Sequence, residues 1–247
     1  MVDYNTRYSP TTGARTAAEV DEGLRSYMLT VYNYMASALV LTGLAAYVTA
    51  HVPALFNLMY ATGPAGEIGY SLPGLIIVFA PLALVFFLSF RINHLQASTA
   101  QAIFWVYAGL LGMSLSSVLL MYTGASIART FFVTAAAFGA LSLFGYTTKK
   151  NLSGMGSFLI MGLFGLIIAS IVNIFMQSSA MEFVISVAGV LIFAGLTAYD
   201  TQKIKLMYLE DDHEETAKKK AIMGALALYL DFINMFLFLL RFLGNRE

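Results

Sequence analysis

Seven long apolar stretches separated by short polar gaps dominate the chain. They cover about residues 27–50, 72–91, 101–122, 129–147, 156–176, 180–201 and 221–243. Each is continuous rather than alternating, the pattern of buried helices and not of barrel strands. A hydrocarbon core about 30 Å thick needs about 20 helical residues at a rise of about 1.5 Å each. All seven runs come close to that length, and the short gaps make consecutive helices antiparallel neighbours. The pattern predicts an all-α integral membrane protein, a bundle of seven transmembrane helices.

Residues 1–26 are polar, with Ser9-Pro10-Thr11-Thr12-Gly13 reading as a loose segment. They are expected to form a cytoplasmic N-terminal tail, leaving 27–247 as the membrane domain. A signal peptide fits poorly, because the polar part is long and Glu19, Asp21 and Glu22 precede the first apolar run.

Composition sharpens this picture. The chain of 247 residues is 59% hydrophobic and 11% charged, with a mean hydropathy of +0.74. So few charges exclude disorder and an ordinary soluble enzyme. Lys plus Arg and Asp plus Glu number 14 each, so no net charge argues for a nucleic acid or another polyanion as partner. With no cysteine, disulfides, thiolate metal sites and thiol catalysis are excluded as well. The expected partners are the lipid bilayer and an ion, calcium or protons, and no cofactor is implied.

Basic residues orient the bundle. With seven crossings, the N-terminal side holds 11 of them: Arg7, Arg15, Arg25, Arg91, Lys149, Lys150, Lys203, Lys205, Lys218, Lys219 and Lys220. The opposite side holds 3: Arg129, Arg241 and Arg246. This places the N-terminus in the cytoplasm and the C-terminus outside, provided that the last run crosses fully. Within the spans, Ala108 with Gly112 and Ala135 with Gly139 form small-xxx-small pairs suited to close helix packing. Pro81 is expected to kink the second span.

The acids inside the membrane carry the chemistry. Asp231 lies ten residues into the last run, about 15 Å deep and so near the midplane. A charged carboxylate there costs about 2.5–3.5 kcal/mol or more, so it needs a partner, a proton or water. Asp200 ends the sixth run, in Ala198-Tyr199-Asp200-Thr201-Gln202, just inside the boundary. An i,i+3 pairing with Lys203 would give it a purely interfacial role. The sixth and seventh helices form an antiparallel hairpin, so both acids can face each other across it. Two close carboxylates in a low-dielectric site cannot both ionise cheaply, so they titrate as a coupled unit sharing a proton. Such a pair is a pH switch, and its hard oxygens suit calcium. Arg91 closes the second run at the same boundary. An ion pair from Arg91 to Asp200 would latch the second helix to the sixth until the acid is protonated; otherwise Arg91 is a snorkelling cation.

Other charges are blander. Glu182, at the outer end of the sixth run, and Glu67, in the first outer loop, could attract cations to a mouth or simply be solvated, and 206–220 is expected to be a solvated cytoplasmic loop. It lacks the spacing of a calcium hand. His51, His94 and His213 lie apart, so no histidine metal cluster is expected.

The two acidic motifs, Ala198-Tyr199-Asp200-Thr201-Gln202 and Leu228-Tyr229-Leu230-Asp231-Phe232-Ile233-Asn234, resemble those of the Bax inhibitor-1 family. This family is also called the transmembrane Bax inhibitor motif family, and it includes bacterial YccA-like members. The resemblance extends from the first span to the last. It implies a seven-helix bundle with the last helix central, surrounded by the other six. It also implies a pH-sensitive calcium leak governed by an aspartate pair, matched here by Asp200 and Asp231, with Arg91 matching a latching arginine. For a bacterial member it implies the cytoplasmic (inner) membrane. The chain ends without the lysine cluster of eukaryotic members, so their cell-death role does not transfer.

Enzymatic readings fit worse. An intramembrane aspartyl protease needs Gly-x-Gly-Asp around its second acid, where this chain has Leu228-Tyr229-Leu230-Asp231. A rhomboid-like protease lacks an embedded histidine base, and a retinal protein lacks its Schiff-base lysine in the last span. The chain is expected not to be an enzyme. The alternative is a non-conducting membrane regulator that binds a membrane protease or other quality-control partner.

Overall fold

The apolar runs become helices, most of which start earlier than the run, while α1 and α8 also end later. The computed structural model describes residues 17–63 and 67–245, with side chains from residue 22 onward. The polar stretch 9–13 and Arg7, Arg15 and Arg246 lie outside these residues. Helices α1 (Ala17–His51) and α2 (Pro53–Met59) lead into a short antiparallel hairpin, β1 (Tyr60–Thr62) with β2 (Ile68–Tyr70), Tyr60 opposite Tyr70. Then follow α3 (Leu72–Arg91), a 3₁₀ turn (Ile92–His94), α4 (Ala97–Ser114), α5 (Ser116–Met121), α6 (Gly124–Thr147), α7 (Ser153–Met176), α8 (Ser179–Met207) and α9 (Glu214–Leu243). Seven segments among the described residues are long and apolar enough to cross a membrane, with α4 and α5 together making one. The architecture is the expected all-α membrane bundle.

Three boundaries differ from the hydropathy reading. Residues 17–26, assigned by polarity to the tail, already belong to α1. Polarity marks where lipid ends, whereas a helix continues into water when its backbone bonds are made internally. For the same reason the segment 206–220 is mostly helix, since only 208–213 separate α8 from α9. Its charges are paired: Lys218 with Glu214 at 2.5 Å and Lys220 with Asp212 at 2.6 Å. Glu215 also accepts from the Ala97 backbone N–H at 2.6 Å, closing the start of α4. Third, α3 runs through Pro81 as one helix, and the third crossing is the interrupted one. At Leu115 the backbone leaves the helical region, and the Ser116 hydroxyl bonds back to the Met113 carbonyl at 2.6 Å.

Turn chemistry accounts for the other ends. Ser71, Thr123 and Ser178 accept from the backbone N–H three residues on and so start α3, α6 and α8. Gln177, at φ 50°, stops α7 in the left-handed region.

Helix α9 is the pillar of the bundle. It is 61% buried in its most apolar window, against 11% for α3 and 6% for α7. It packs against α1, α4, α6 and α8, while α3 leans on α4 and α7 on α8. The last helix is therefore central, with α1, α4, α6 and α8 making its main contacts. One of the two small-residue pairs is a packing contact. A Cβ on Gly112 would run into the Thr42 carbonyl and Ala45 of α1, whereas one on Gly139 would meet open space. The comparable site on α6 is Gly145, which seats the Ala198 backbone of α8.

Candidate functional site

Asp231 and Asp200 meet where α9 packs on α8. Asp231 is 4% exposed, and Asp200 is half-buried one helix away. Both acids line the same cavity, close enough for their carboxyls to interact. No N–H or hydroxyl reaches the buried Asp231 Oδ2. A proton shared between the two acids would supply that oxygen with the donor it lacks. Behind Asp200, Thr197 and Thr201 turn their hydroxyls onto carbonyls one turn back, at 2.8 and 2.7 Å, so neither donates to the acids.

The pair opens into a cavity of 630 Å³ between α7, α8 and α9. Lys203 stands at one end of it, and Asn234 and Ser170 lie further along α9 and α7. The rest of the wall is apolar. A second cavity of 540 Å³ near the far end of α9 is lined by Asn173, Glu182 and Arg241. The two share Ser170 and Ile174. A polar series thus runs along one side of α9, from Lys203 through Asp200, Asp231 and Asn234 to Ser170 and Arg241.

The other expected residues sit elsewhere. Arg91 is exposed at the end of α3, which leans on α4 rather than α8. Among the described ion pairs none joins it to Asp200, so the expected latch is not formed in this structure. The cation that acts on Asp200 is Lys203, one turn along the same helix. Sequence spacing gives Arg91 the right depth, but depth does not say which helices are neighbours. Glu67 lies exposed beside the hairpin, while Glu182, in the first turn of α8, lines the second cavity. His51 stacks on Tyr47, and among the described residues no cluster of three His, Cys, Asp or Glu could hold a metal. The sequence reading missed Asn234, Ser170 and Asn173. Each is a polar residue within an apolar run, which is the one signal that marks them.

A model of the family described as Inhibitor of apoptosis-promoting Bax1 matches residues 24–247. A protein of Rickettsia prowazekii is 54% identical over all of both chains. The inner membrane protein YbhL of Escherichia coli K12 is 47% identical over 91% of this chain and 94% of its own length. A protein of Borreliella burgdorferi is 41% identical over 90% of this chain and 92% of its own.

Proposed function

The chain belongs to the Bax inhibitor-1 family, and on that premise we propose that it is a pH-sensitive cation leak whose main ion is calcium. The observation that carries this reading is the aspartate pair opening into the cavity between α7, α8 and α9, which abuts a second cavity along the same helix. An ion entering this way exchanges water for carboxylate and amide oxygens at Asp200, Asp231 and Asn234. Calcium takes six to eight oxygens and tolerates irregular geometry. Two carboxylates and an amide supply only part of that shell, and water has to complete it. A partial shell holds an ion briefly, as conduction requires.

Protons and cations compete for the pair. With one proton shared, the site keeps one negative charge. A second proton removes that charge, and losing the shared one doubles it. Cation binding therefore strengthens as pH rises and fails as pH falls. The basic residues gathered at the Lys203 end favour a cytoplasmic N-terminus, with the aspartates nearer that face. YbhL's description as an inner membrane protein supports the same membrane for this chain.

Calcium flux into proteoliposomes across a pH series tests the reading, with Asp200→Asn and Asp231→Asn beside the wild type. Both substitutions should change the flux and flatten its pH dependence. Unchanged flux in both removes the aspartate mechanism. No flux from wild type at any pH favours the alternative, a non-conducting regulator of membrane quality control.

A further inference from the structure

Helices α1 and α6 both pack along α9, and the seam between them holds two cavities, of 470 and 270 Å³. The first is walled by Met28, Leu29 and Tyr32 on α1 and by Phe138, Gly139 and Leu143 on α6. The second is floored by Phe232, Ile233 and Phe236 of α9. The Phe232 ring touches Phe138 of the first and Phe131 of the second, with centroids 5.5 and 5.6 Å apart, so this ring stands between the two cavities. Gly139 faces open space here, which explains why this small residue serves no helix contact.

The seam is polar at one end only. Arg25 stands at the mouth. On the other lip, Lys205 donates to the Tyr146 carbonyl at 2.8 Å and lies 4.9 Å from that ring's centroid. Among the described ion pairs neither cation has a partner. Deeper in, the Tyr32 and Ser142 hydroxyls bond each other at 2.5 Å and need nothing from a ligand. An apolar slot with two cations at its mouth is complementary to an anionic amphiphile. In a chain surrounded by bilayer, that amphiphile is a lipid. The fourteen helical steps from Arg25 to Leu39 rise about 21 Å. That exceeds half of a hydrocarbon core about 30 Å thick, so one leaflet's acyl chain ends where the second cavity begins.

We propose that the seam between α1 and α6 binds an anionic phospholipid, its phosphate on Arg25 and Lys205 and one acyl chain lying against Gly139. The site is independent of ion conduction. Native mass spectrometry of the full chain in detergent tests it, with phosphatidylglycerol and phosphatidylcholine of identical acyl chains as probes. The wild type should retain phosphatidylglycerol in preference. Arg25→Gln and Lys205→Gln should each cut that preference by about fivefold, the effect of one basic residue at an anionic lipid surface. Gly139→Leu should reduce retention of both lipids by filling the slot. Leu29→Trp, at a lipid-exposed position, gives the same reading if the glycine variant misfolds. Equal retention of both lipids by the wild type overturns the proposal. So does undiminished phosphatidylglycerol binding in the folded slot-filling variants.

Discussion

The Tyr229 hydroxyl lies 2.6 Å from Thr42 Oγ1, tying the first helix to the last half a turn before Asp231. Thr42 also reaches the Ala38 and Ala108 carbonyls, both at 2.9 Å, so one threonine joins α1, α4 and α9. The Tyr229 ring is fully buried, with Phe104 and Tyr107 edge-on to it. Tyr229→Phe keeps this packing and loses the bond. It should lower stability by about 0.5–1.5 kcal/mol. Tyr229→Ala should cost about 3–5 kcal/mol through the cavity it leaves. Thermal melts in detergent separate the two, and equal losses would mean that the hydroxyl contributes most of the effect.

Asp231→Asn replaces a shared proton with a permanent amide donor. The variant should keep its helix contacts, so its melting temperature should change little. Its calcium affinity should fall about tenfold or more and its pH dependence should flatten to that of the one remaining acid, because one of two charges in a poorly solvated site is gone. Isothermal titration from acid to neutral pH checks both outcomes together.

Lys203→Gln removes the cation beside Asp200. A positive neighbour favours the ionised acid, so without it the pair holds its protons to a higher pH. The midpoint of the calcium-binding profile should therefore move up by about one pH unit. Arg91→Gln should leave that midpoint in place, since Arg91 makes no ion pair with Asp200 here. A shift produced by Arg91 instead of Lys203 would restore the latch.

Two glycines of α6 should respond in opposite ways. Gly145→Ala forces a Cβ against the Ala198 backbone and should cost about 1–3 kcal/mol. Gly139→Ala meets nothing and should be neutral or stabilising by up to about 1 kcal/mol, the gain in helix propensity. Melting temperatures of the two variants give the comparison directly.

Hydropathy alone made the seven crossings legible and singled out Asp200 and Asp231, because a carboxylate within an apolar run is expensive wherever it lands. Lateral neighbourhood was not legible. Arg91 and Lys203 sit at similar depths, and only the packing of α3 on α4 separates their roles. The two small-residue pairs look alike as motifs, yet Gly112 meets a helix and Gly139 meets a gap. The break at Leu115 carries no proline. It comes from serine hydroxyls competing for backbone carbonyls, a cue too common in membrane helices to stand out.

Helix α7 walls the cavity that holds the acids, yet it leans chiefly on α8 and turns most of its surface outward. Displacing it would unpack little protein. The work of widening the cavity is done mainly against acyl chains, which makes bilayer tension and thickness thermodynamic variables of the site, alongside pH.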